Sequence, residues 1–168
     1  QLHWGLRATQ WRDRVSDAKG RLFLCDDKRV VIAEYELGLR GAEDYTFYLD
    51  CSRTREWEED GLISMREDAQ EVLNEARRTA HKFLRRTFKQ RAQSLTEELI
   101  DQRIYPYSSA ATSATEEEEK KLFAHFALHI RQSVGSYDKM NLDNKRLLFK
   151  LLQELLRREP MAVAEVLS

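Results

Sequence analysis

Apolar positions along the chain follow two periods. Leu22-Phe23-Leu24-Cys25 and Arg29-Val30-Val31-Ile32-Ala33-Glu34-Tyr35 are short apolar runs on either side of the polar turn Asp26-Asp27-Lys28, the signature of a β-hairpin. After a breaker from Gly38 to Asp44, Tyr45-Thr46-Phe47-Tyr48-Leu49-Asp50-Cys51 has the β-branched and aromatic content of a third strand. Residues 1 to about 20 show no clear period, and a short helix from Thr9 to Ala18, ending at Gly20, is the one element they suggest.

Helical spacing takes over at Ser64, which with Glu67 forms a capping box. Apolar residues then recur at Met65, Ala69, Val72, Leu73, Ala76, Ala80, Phe83, Leu84 and Phe88. This long amphipathic helix is expected to cover the small sheet and to persist through Leu95, Leu99 and Ile100 until Ile104-Tyr105-Pro106-Tyr107, where Pro106 disfavours helical dihedrals at Tyr105. Residues 108–114 read as a linker. Thr115 and Glu118 repeat the capping box, and the acidic run Glu116 to Glu119 suits the positive end of a helix dipole, predicting a helix to about Val134 with Gly135 beyond it. A further helix is predicted from Leu142 to Arg158, with Leu147/Leu148, Leu151/Leu152 and Leu155/Leu156 on one broad apolar face. Pro160 stops it and suits the first position of another helix. The expected fold is α+β and mostly α: a three-stranded antiparallel sheet in residues 1–63, a long charged helix over 64–107 and part of a helical bundle over 115–168.

Composition narrows the function without naming it. The 168 residues are 42% apolar and 34% charged with a formal net charge of -1, so opposite charges are interleaved and total charge indicates no partner. Cys25 and Cys51 lie in apolar strand-like runs and read as buried thiols of a reducing compartment, which gives a cytoplasmic expectation. No run approaches the ~18 apolar residues of a membrane span, and no signal-peptide pattern is present. The start at Gln1 and the apolar pattern at Val166-Leu167-Ser168 suggest a piece of a longer protein.

Locally, charge is less even. Arg77, Arg78, Lys82, Arg85, Arg86, Lys89 and Arg91 occur with no Asp or Glu between Glu75 and Glu97. Arg78, Lys82, Arg85 and Lys89 follow helical spacing and form a cationic stripe able to meet nucleic-acid phosphates or an acidic protein; the alternative is a solvated face, or one ion-paired with Glu116 to Glu119. His125 and His129, four apart, have a zinc-compatible spacing but no intervening Glu and no third ligand in the pattern, so packed or surface histidines are the plainer reading. There is no Gly-x-Ser-x-Gly elbow, no phosphate-binding glycine loop and no histidine placed to activate either cysteine. The pairs Glu58/Glu59 and Glu97/Glu98 sit among polar residues that would not raise a carboxyl pKa. No catalytic role, cofactor or metal is expected within this sequence.

The run Leu22-Phe23-Leu24-Cys25-Asp26-Asp27-Lys28-Arg29-Val30-Val31 resembles the hairpin of the transducer domain in GHKL-type ATPases. Tyr45 to Cys51, the acidic-aromatic segment through Trp57 to Leu62, the long charged helix and Ile104-Tyr105-Pro106-Tyr107 are similar to a group of large bacterial chaperone-like ATPases of that superfamily. The resemblance spans about residues 21 to 168. It implies an ATP- and magnesium-binding module elsewhere in the natural protein, and a non-catalytic role for this segment in passing nucleotide state to a protein partner, to the rest of its own chain or to a second copy. The family's glycine-rich lid and metal-binding Asn have no match here, and neither does its phosphate-sensing lysine. Arg29 corresponds to the motif's turn arginine, expected to order the turn. The rival expectation is a nucleic-acid-binding module built on residues 77–91.

Overall fold

The structure, a computed structural model, describes residues 3–11, 20–39, 41–59, 63–108 and 113–158. The fold is α+β and mostly α, with two compact units spanning residues 1–88 and 89–168. The suggestion of a helix beginning at Thr9 is corrected for its first residues, since Thr9 and Gln10 belong to a strand; 12–18 lie outside the described residues, as do most of the linker and Pro160.

The first unit holds a four-stranded sheet in the order β1-β4-β2-β3, made of β1 (Trp4–Gln10), β2 (Arg21–Cys25), β3 (Val31–Glu36) and β4 (Tyr45–Cys51). The expected three-stranded antiparallel sheet is corrected on two counts. β1 is an additional strand, and β2 and β4 run parallel, with Leu22 opposite Phe47 and Leu24 opposite Leu49. The physical reason lies in the connection after β3: Leu37 donates to Gly20 and Gly20 to Tyr45, so the chain passes the start of β2 and pairs on its far side. Gly38 and Gly41, with φ of 60° and 83°, supply the left-handed turns that this passage needs.

Strand alternation then sorts the residues. Leu22, Leu24, Tyr45, Phe47, Leu49 and Cys51 face a core completed by Ala69, Val72, Leu73, Ala76, Ala80 and Leu84. These last six come from α2 (Glu67–Asp101), and Trp57 of the short helix α1 (Thr54–Glu59) is fully buried in the same cluster. The Trp57 indole donates to Asp68 (3.1 Å), which also accepts from Arg66 (3.2 Å) and from the Ala69 amide (3.0 Å). Asp68, not the predicted Ser64/Glu67 box, therefore anchors the start of α2; Ser64 lies in a 3₁₀ turn before it.

In the second unit α2 ends where Arg103 takes a left-handed φ of 57° and the amides of Ile104 and Tyr105 both return to the Leu99 carbonyl. Pro106 follows this cap and does not create it. α3 (Ala114–Ser133) is capped by Ser113, whose hydroxyl accepts from the Glu116 amide, so the cap sits two residues before the predicted Thr115. α4 (Leu142–Arg158) has the predicted bounds. Tyr105, Tyr107, Phe123, Phe149 and Tyr137 form a continuous chain of ring contacts, and Ala92, Leu95, Leu99, Ile104, Leu152 and Leu156 are buried in the same unit.

Candidate functional site

The cationic stripe exists as a surface. Ala76, Ala80 and Leu84 turn toward the sheet, and at 100° per residue Arg78, Lys82, Arg85 and Lys89 then occupy an arc of about 60° on the opposite side of α2, with Arg86 at its edge. All five are exposed, whereas Arg77 and Arg91 lie off the stripe and are half-buried. Arg78 has one weak partner, Glu75 at 3.5 Å, in a pair open to solvent. Among the described residues no carboxylate lies within ion-pair distance of Lys82, Arg85, Arg86 or Lys89.

The acidic run that could have neutralised them is otherwise engaged. Glu116 pairs with Lys120 (3.3 Å), Glu117 and Glu118 with Lys121 (3.4 and 2.8 Å), and Glu119 with Arg157 of α4 (3.2 Å). The stripe thus retains five like-charge neighbours at i,i+3 or i,i+4: Arg78/Lys82, Lys82/Arg85, Lys82/Arg86, Arg85/Lys89 and Arg86/Lys89. At about 0.2–0.5 kcal/mol each, they cost the helix about 1–2.5 kcal/mol.

The sheet face away from α2 also carries charge, but balances it. Across one row stand Arg7, Tyr48, Phe23 and Glu34. The Phe23 and Tyr48 rings stack with centroids 5.6 Å apart, the Arg7 guanidinium lies 5.2 Å from the Tyr48 centroid, and Arg7 pairs with Asp50 at 2.6 Å. Arg21 pairs with Glu34. Register also places Cys25 opposite Asp50 on this face while Cys51 points to the core, so the two free thiols lie on opposite sides of the sheet. Burial, reinforced by Asp50, pushes the Cys25 thiol pKa up, which disfavours the thiolate.

The hairpin turn is organised by Asp26. Its buried carboxylate accepts from the amides of Lys28 (2.9 Å) and Val30 (2.8 Å) and from Arg55 of α1 (2.8 Å). The Val30 amide above all, then Arg55 and the Lys28 amide, hold this carboxyl below the usual range. Arg29 adopts a left-handed φ of 65° and its amide donates to the Asp26 carbonyl (3.0 Å); no side-chain partner for it is found among the described residues. Sequence reasoning therefore reached the turn but missed Asp26 and Arg55 as its ordering pair. An Asx residue opening a tight turn was the available signal.

His125 and His129 lie exposed on α3, the latter 3.4 Å from the Ser133 hydroxyl, and no group of three or more metal-binding side chains occurs among the described residues. On α4 the predicted broad face divides. Leu152 and Leu156 are buried, whereas Leu147, Leu151 and Leu155 are 59%, 59% and 50% exposed in one row. No described helix is long and apolar enough to cross a membrane. Compared with known proteins, the chain matches no family model, no curated protein and no solved structure.

Proposed function

We propose that this chain is a non-catalytic transducer and helical interaction segment of a larger GHKL-type ATP-binding protein, coupling nucleotide state to a protein partner. The observation that carries the reading is α2. One unbroken helix of 35 residues supplies core to the sheet unit through Ala69, Val72, Leu73, Ala76, Ala80 and Leu84, and to the helical unit through Ala92, Leu95 and Leu99. In this reading α2, whose hydrogen bonds form one continuous ladder from Glu67 to Asp101, is the element that would carry the nucleotide state. The transducer-like hairpin β2–β3 sits on the first stretch, tied to α1 by Asp26 and Arg55.

In this reading ATP and magnesium belong to a module outside this sequence, the segment itself holds no nucleotide or metal, and the protein works in the cytoplasm with both thiols reduced. The partner side is the leucine row of α4. An amphipathic helix laid along it would cover Leu147, Leu151 and Leu155 and meet the opposite charges of Lys150 and Glu154 at its rim. Titration of the chain with a fluorescent ATP analogue should be silent, and saturable binding would overturn the reading. In the full-length protein, a non-hydrolysable ATP analogue should alter amide hydrogen exchange along α2; identical exchange with and without it would show that α2 carries no signal.

A further inference from the structure

We infer that the outward face of α2 between Arg78 and Lys89 binds the phosphate backbone of a duplex nucleic acid. This inference is independent of the ATPase reading and rests on three observations.

The first is an unanswered charge. Lys82, Arg85, Arg86 and Lys89 have no carboxylate partner among the described residues, although every glutamate of the acidic run 116–119 has found a lysine or arginine. Like charges held together on one helix destabilise it, and an anionic ligand relieves that repulsion. The second is shape. From position 78 to position 89 the helix rises about 16 Å, and since phosphates on one strand follow each other every 3.4 Å or so of duplex axis, the stripe spans about five of them.

The third observation separates nucleic acid from other anionic partners: the arc contains no exposed apolar side chain. Phe83, although 39% exposed, lies outside the arc and packs edge-on against Tyr45 and Phe47, with ring centroids 5.5 and 6.0 Å apart. Helices that bind a membrane surface bury an apolar face, and protein interfaces bury an apolar centre. A purely cationic ribbon has neither, and suits a partner that presents phosphates alone. The contacts are with phosphates, so binding is independent of base sequence.

The test is fluorescence anisotropy of a labelled duplex of mixed sequence titrated with the chain. With four phosphates neutralised, log K should fall against log salt with a slope of about -3.6, so raising salt from about 50 to 200 mM should weaken binding about 150-fold. In the triple variant Lys82→Ala, Arg85→Ala, Lys89→Ala the slope should shrink to about -1, while circular dichroism and the unfolding midpoint show the fold retained or strengthened. Absence of binding at the lowest salt overturns the inference. So does a salt slope unchanged in the triple variant, which would put the binding elsewhere, and so does equal competition by polyglutamate, which would assign the stripe to an acidic polypeptide.

Discussion

Replacing Lys82 by Glu should make this protein more stable, because Lys82 is the most crowded cation of the stripe. Arg78 lies four residues before it, and Arg85 and Arg86 lie three and four residues after it, all exposed on α2. Each repulsion removed contributes about 0.2–0.5 kcal/mol and each attraction created adds a similar amount, so three pairs give about 1–3 kcal/mol. Lys and Glu have nearly equal helix propensities, and no hydrogen bond or ion pair of Lys82 with another described residue is lost, so little offsets the gain. Urea unfolding followed by circular dichroism at low salt is the assay, with the midpoint rising and the slope unchanged. At high salt, where charges are screened within a few ångströms, the advantage should largely vanish. A Lys82→Glu variant no more stable than the parent at low salt would refute the reasoning, since it would mean that Lys82 already faces a carboxylate. The phosphate-binding inference would then lose its first support.

Three further outcomes follow from the packing. Trp57→Ala should cost about 3–5 kcal/mol, read from guanidinium unfolding, since the indole is fully buried and its hydrogen bond to Asp68 helps fix the start of α2; a cost below about 1 kcal/mol would contradict that burial. On α4, Leu152→Ala should cost about 2–5 kcal/mol and Leu151→Ala less than about 0.5, and equal losses would show that the leucine row is covered within the chain. The Asp26 carboxyl has a folded pKa below its ordinary value of 3.8, so the stability it contributes is complete above that value and is lost as pH falls through the lower, folded one. Acid unfolding of Asp26→Asn, followed by circular dichroism, should be less steep than that of the parent over that range, and superimposable curves would remove Asp26 from its role in the turn.

Helices were the most legible part of this sequence. A period of 3.6 sustained over many residues, with breakers at each end, sets α4 to its observed bounds and α2 and α3 to within a few residues. Caps were less so, because several Ser, Thr, Asp and Glu residues compete near each helix start and packing selects among them. Asp68 prevails over Ser64 because the Trp57 indole reaches it, and Ser113 prevails over Thr115 because the helix begins at Ala114. In the strand β1, the alternation of Trp4, Leu6 and Ala8 with Gly5, Arg7 and Thr9 carries a period of two, but the exposed residues that follow dilute it; pairing with β4 supplies the stability that so short a pattern lacks.

By itself, the sequence determined the mostly helical α+β class, the hairpin, the extents of the long helices and which side of α2 is cationic, because these depend on residues close together in the chain. Tertiary structure alone decided the parallel pairing of β2 with β4, the separation of the two cysteines onto opposite faces and the division of the α4 leucines into buried and exposed rows. It also decided that the acidic run is engaged by Lys120, Lys121 and Arg157 while Lys82, Arg85 and Lys89 remain without a carboxylate among the described residues. A charge's net effect depends on what lies within a few ångströms in space, and spacing along one helix fixes only its neighbours on that helix.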